Sequence, residues 1–161
     1  MKFNSLNYVV LMKIRSALLS CALAFALGSH SYANEEGEEA SVEVRLAAAQ
    51  KALKSSSDIS LIYVKGLVCP SCAIGVRKNL SKMKGVDKKR FKEGIDMDAE
   101  TQLVTIALKK DAKVEVKELL ERVDDAGYDA IEKYKLHDGH LDSLKFKKDA
   151  SVEVVHHKAG K

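Results

Sequence analysis

Two thiols stand two residues apart where one hydrophobic pattern gives way to another: Lys65-Gly66-Leu67-Val68-Cys69-Pro70-Ser71-Cys72. Upstream, residues 60–64 are β-branched and apolar and suit a buried strand. Downstream, Cys72, Val76, Leu80 and Met83 recur at helical spacing, with Arg77, Lys78 and Lys82 on the opposite side. Gly66 suits the turn before the thiols. Pro70 suits the first helical turn, where a missing N–H costs nothing, and Gly85 suits its C-terminal turn. A CxxC pair between a strand and a helix has two common chemistries. It chelates a soft metal ion, or it exchanges electrons as a dithiol and a disulfide.

The pattern after this stretch limits the fold class. Residues 87–94 (DKKRFKEG) read as a basic surface segment. Ile95 and Met97 alternate with Asp96 and Asp98, and residues 101–108 (TQLVTIAL) form a stronger strand signal; the short Ala99-Glu100 connection predicts a hairpin. Val116, Leu119, Leu120 and Val123 share one face of a helix predicted over 113–126, which Gly127 stops. Ala130, Ile131 and Tyr134 mark a last strand within 129–136. The order β-α-β-β-α-β predicts an α+β, ferredoxin-like sandwich: two helices on one face of a four-stranded antiparallel sheet.

The flanks read differently. Residues 16–28 (SALLSCALAFALG) are apolar but too short to span a bilayer as a helix, which needs roughly 20 residues. Lys13 and Arg15 precede them, and Ser31-Tyr32-Ala33 offers small residues at a signal-peptidase site. Residues 1–33 therefore read as a cleaved secretory signal, with Met1 or Met12 as the start, and predict an exported, periplasmic protein with no stable membrane insertion afterwards. Cleavage removes Cys21 and leaves Cys69 and Cys72 in an oxidising compartment, where their value is reactivity or ligation. Residues 34–57 open acidic and become Ala-rich, which predicts a mobile tip, one short helix and a linker ended by Ser55-Ser56-Ser57, a spacer as the simpler reading and a docking helix for a partner as the alternative. Residues 58–136 hold the predicted domain. Residues 137–161 read as a polar tail with a possible strand at 151–155.

Charge excludes one class of partner. Residues 1–33 carry three basic residues and no acid, leaving 24 of the 27 basic residues against all 23 acidic ones. So balanced a chain is a poor candidate for a nucleic-acid binder driven by phosphate contacts.

The motif residues resemble the heavy-metal-associated domains, a family that includes copper chaperones and periplasmic mercury-binding proteins. The resemblance rests on Gly66, Cys69, Cys72, Val76, Leu80, Gly85-Val86 and Ala126-Gly127-Tyr128, and covers about half the chain. It implies the β-α-β-β-α-β fold and one soft ion held between the thiolates of Cys69 and Cys72. It also implies that Leu67, where the family carries Met, packs beneath the metal loop, and that Tyr128 shields the site. Residues 87–94 look longer than the family's usual link.

Thiolates select soft ions. Two of them on an exposed loop suit near-linear coordination, which places Cu(I) first and Hg(II) second; Zn(II) wants four ligands and ranks lower. A helix start at Cys72 favours thiolate over thiol. The partners implied are a metal transporter or another metal-binding protein, with the chain itself a monomer and not an enzyme. The alternative is a periplasmic thiol-disulfide oxidoreductase, since Pro also occurs inside CxxC in that class. His137, His140, His156 and His157 could add nitrogen ligands, although scattered His in a polar segment is usually solvated. Lys82, Lys84, Lys88, Lys89, Arg90 and Lys92 could meet an acidic partner, with a plain solvated face as the simpler reading.

Overall fold

A computed structural model describes residues 38–71, 73–147 and 149–157. The apolar stretch, the expected cleavage site and the second thiol, Cys72, lie outside them. In chain order the elements are α1 (Val42–Ser55), β1 (Ile59–Lys65), α2 (Ala73–Leu80), β2 (Ile95–Asp98), β3 (Leu103–Ala107), α3 (Val116–Asp124), β4 (Asp129–His137), β5 (His140–Phe146) and β6 (Val152–His156). Among the described residues no helix is long and apolar enough to cross a membrane.

The ferredoxin-like order is present from β1 to β4, but the expected sheet of four strands has six. Its order is β2-β3-β1-β4-β5-β6, and every pairing is antiparallel. The extra pair is built from residues read as a tail. Asp138-Gly139 links β4 to β5 with both residues at positive φ (49° and 80°), the two-residue turn whose twist matches that of the flanking strands. The strand suspected at 151–155 is β6, and it forms the sheet edge.

The central strand β1 is buried over five consecutive residues, from Ser60 to Val64. A strand with one wet face would alternate; this one is covered on both sides. On one face Ile62, Val64, Val104 and Ile106 pack against Val76 and Leu80 of α2 and Leu119 and Val123 of α3. On the other face Leu61, Tyr63, Leu103, Tyr134 and Leu141 pack against Ala49 of α1, with Leu46, Ala52 and Leu53 alongside. The Ala-rich helix is thus neither a spacer nor a free docking helix. It is the cover of the second sheet face, and it fits because Ala lets the helix axis approach closely.

Polar groups fix α1 in place. Ser41 caps it, accepting from the Val44 N–H. Arg45, 5% exposed, lays its guanidinium 3.6 Å over the Tyr63 ring and donates to the carbonyls of Thr101 and Ala40. The fully buried Gln102 accepts from the Ala40 N–H and donates to the Ala99 and Glu100 carbonyls. Tyr134 donates to the Glu132 carboxylate beneath the same helix.

That buried layer predicts alkaline lability. Burial first, then the hydrogen bond and charge of Glu132, push the Tyr134 phenol far above its usual value; burial also raises Tyr63, against the opposing field of Arg45. A raised phenol contributes stability below the unfolded pKa of about 10 that is lost as pH climbs above it. Burial, then repulsion by Lys135, holds Lys133 below its usual value, so Lys133 works in the opposite sense up to about pH 10.5. With two phenols against one amine, Tm should stay level to about pH 9.5 and fall beyond pH 10. A Tm that keeps rising through pH 11 would contradict the phenol account.

The long link between α2 and β2 is tied down. Asp87 N–H donates to the Ala107 carbonyl, Gly94 N–H to that of Arg90, and Arg90 reaches Asp58 O and Ser56 Oγ. Gly94 sits at φ +85°, where a Cβ would run into the Val86 side chain and lie 3.0 Å from Asp87 O. Gly94→Ala is expected to cost about 2–3 kcal/mol, read as a lower urea midpoint at unchanged m-value.

Candidate metal-binding loop

The loop between β1 and α2 carries the first thiol. β1 ends at Lys65, paired with Asp129 of β4. Val68 N–H then turns back onto Gly66 O at 3.0 Å, and α2 begins at Ala73, whose N–H reaches Cys69 O at 3.4 Å. Leu67 is fully buried in the core with Val76 and Val123, so the loop rests on an apolar anchor. Cys69 is half-buried, between the buried Leu67 and the exposed Pro70 and Ser71. It is disulfide-bonded, and its sulfur lies 3.2 Å from Ser71 Oγ.

The N-terminal segment also holds this loop. Glu39 accepts from the Gly66 N–H at 3.0 Å and from the Tyr63 hydroxyl at 3.2 Å. One carboxylate thereby ties residues before α1 to the turn that leads into the thiols. Nothing local in the sequence signals this, since the partners are 24 and 27 residues apart.

A groove of about 320 Å³ runs beside the loop, lined by Leu67, Pro70 and Arg77 on one side and Met97, Asp98 and Glu100 on the other. Tyr128 lines a second groove, with Leu120, Phe146 and Lys147, while packing partly against the same core. His137, His140, His156 and His157 lie at or beside the ends of β4, β5 and β6. His156 Nδ1 is 2.8 Å from Asp142 Oδ1, His157 Nε2 is 2.8 Å from Ser143 Oγ, and His137 pairs with Asp138 at 3.5 Å. Among the described residues no three His, Cys, Asp or Glu side chains converge as a metal cluster.

Over residues 61–129 the sequence matches the heavy-metal-associated domain. A mercuric transport protein periplasmic component from Alcaligenes sp is 34% identical over 83 residues, which is 52% of this chain and 84% of that protein. The chain belongs to the heavy-metal-associated domain family. The protein of the same name from Pseudomonas fluorescens is 32% identical over the same shares, and that from Salmonella typhi 34%. No solved structure matches the chain significantly. The family match runs from within β1 to the first residue of β4. Helix α1 and the β5–β6 hairpin of this heavy-metal-associated protein thus fall outside the matched segment.

Proposed function

We propose that this protein is an exported carrier of one soft metal ion, held as cargo between the thiolates of Cys69 and Cys72 in the reduced chain. The observation that carries the reading is the position of Cys69, half-exposed on a short loop whose neighbour Leu67 is locked in the core. Such a loop presents sulfur to a partner without local unfolding. Family membership and the name of the relatives support the same chemistry.

The relatives' name moves Hg(II) ahead of Cu(I), which thiolate chemistry alone had placed first; both accept near-linear coordination by two sulfurs. Loading requires reduction: a partner dithiol exchanges with the disulfide at Cys69, giving up two electrons and two protons and becoming a disulfide itself, and the incoming ion then displaces both protons. Ser71 Oγ is placed to donate to the Cys69 thiolate. Leu67 supports the loop from below, and Tyr128 is proposed as a flanking shield. A partner thiolate enters as a third ligand and one original sulfur leaves, so the ion passes to a metal transporter or another metal-binding protein without being released. Residues 1–33 serve as the export signal to the periplasm, and residues 58–136 form the metal-binding unit. The protein works as a binder and not as an enzyme.

The disulfide at Cys69 favours a second reading, a dithiol oxidoreductase. Anaerobic titration of the reduced chain with Hg(II), and separately Cu(I), against a competing small dithiol separates the two. A one-to-one complex that survives competition, absent from the oxidised chain, supports the carrier. Rapid disulfide exchange with a reduced test protein, together with loss of the ion to the competitor, would establish the oxidoreductase instead.

A further inference from the structure

Charge is segregated along the sheet. Val86 bridges Leu108, Lys109 N–H donates to Gly85 O, and Arg90 binds Asp58 O, so residues 82–94, 109–113 and the start of β1 meet at one pole. Those two segments hold nine cations against Asp87, Glu93 and Asp111. Lys82, Lys84, Lys88, Lys89, Lys92, Lys109, Lys110 and Lys113 are all exposed, and among the described residues none is ion-paired. The opposite pole carries the Cys69 loop with four acids, Glu39, Asp98, Glu100 and Asp129, against the cations Lys65 and Arg77. The seven residues of β1 separate the poles by about 20 Å.

One aromatic stands in the basic pole. Phe91 is 48% exposed, among the few large apolar side chains that face water, and lies between Arg90 and Lys92. The loop beneath it is held by the Arg90 and Gly94 hydrogen bonds, so the ring is displayed on a fixed tip.

We infer that this pole docks on the surface of a bilayer containing anionic phospholipid, with Phe91 entering the headgroup layer and the lysines meeting lipid charge. The composition separates this occupant from an acidic protein. Protein interfaces favour Arg and aromatic anchors in fitted pockets and are depleted in Lys. Here the cations are almost all Lys, and the single Arg is committed to Asp58 O and Ser56 Oγ. The aromatic sits on a projecting tip. Clustered Lys with an interfacial aromatic is the combination that suits anionic headgroups. Docked this way, the protein keeps the Cys69 loop facing away from the bilayer, open to a partner. The inference stands on charge and shape and holds whichever ion the thiols carry.

Flotation of the full chain with vesicles of phosphatidylglycerol and phosphatidylcholine, compared with phosphatidylcholine alone, tests it. The difference between the two vesicle types is the readout, because the apolar segment at 16–28 is common to all variants. Preferential binding to anionic vesicles is expected, weakening as salt rises from 50 to 200 mM. The double variant Lys88→Glu, Lys89→Glu should lose at least about tenfold of that preference, and Phe91→Ala about fivefold. Both should keep the thermal midpoint and the soft-ion stoichiometry of the parent, whose Cys69 loop lies at the other pole. Equal binding to both vesicle types, or an anionic preference untouched by charge reversal, would overturn the inference. So would capture by soluble poly-glutamate with none by anionic vesicles, which would assign the pole to an acidic protein.

Discussion

Cys69→Ser is expected to weaken soft-ion binding by on the order of 10⁴-fold while leaving the fold intact. The size of the effect comes from chelation. With two thiolates only two residues apart in the chain, binding of the first sulfur presents the second at high effective concentration; serine leaves one sulfur and a hard hydroxyl that a soft ion does not favour. The fold should tolerate the change because Cys69 is half-exposed and the loop is anchored by Leu67 rather than by the thiol. The measurement is competition titration of the reduced variant with Hg(II), beside a thermal melt without metal. Affinity within tenfold of the parent would place the ion elsewhere. A melt lowered by more than a few degrees in the reduced state would assign Cys69 a structural role.

Ala49→Glu is expected to have the largest effect on stability, a loss of about 4 kcal/mol or more and a drop in Tm of roughly 10–20 °C. Ala49 is fully buried where α1 crosses the sheet, against Leu61, Tyr63 and Tyr134. A carboxylate there must either be buried unpaired or lift the helix and expose that face to water. Ala47→Glu, two residues earlier and exposed on the same helix, is the control and should stay within about 0.5 kcal/mol of the parent. Equal melts for the two variants would mean that α1 does not cover the sheet in solution. The same cover carries Glu39 to Gly66, so loosening α1 should also loosen the loop that bears Cys69.

Local features were readable wherever the signal is itself local. The β2–β3 hairpin follows from alternation around Ala99-Glu100, and α3 from the spacing of Val116, Leu119 and Val123. The β4–β5 turn was equally local, since Asp-Gly between two strand-like runs is a strong hairpin signal. Residues 137–161 nonetheless read as a tail, because their polarity hides the sheet they belong to. Those strands are polar because much of their surface stays wet at the sheet's edge: Val152 and Val154 are exposed, and Lys145 and Glu153 face each other across β5 and β6. Burial of β1 on both faces was also visible in its unbroken apolar run, but what would cover the second face was not.

From the order of residues alone came the thiol pair between strand and helix, the β-α-β-β-α-β core and the family to which it belongs. Tertiary structure alone decided that α1 closes the sheet, that Glu39 clasps Gly66, that Tyr128 and Leu67 line different grooves, and that lysines from two distant segments gather at one pole. The physical reason is range. Periodicity and turn chemistry act over a few residues and reveal which faces are apolar. Which apolar face meets which, and where side chains 20 to 60 residues apart come together, is settled only when the whole chain competes for the same buried area.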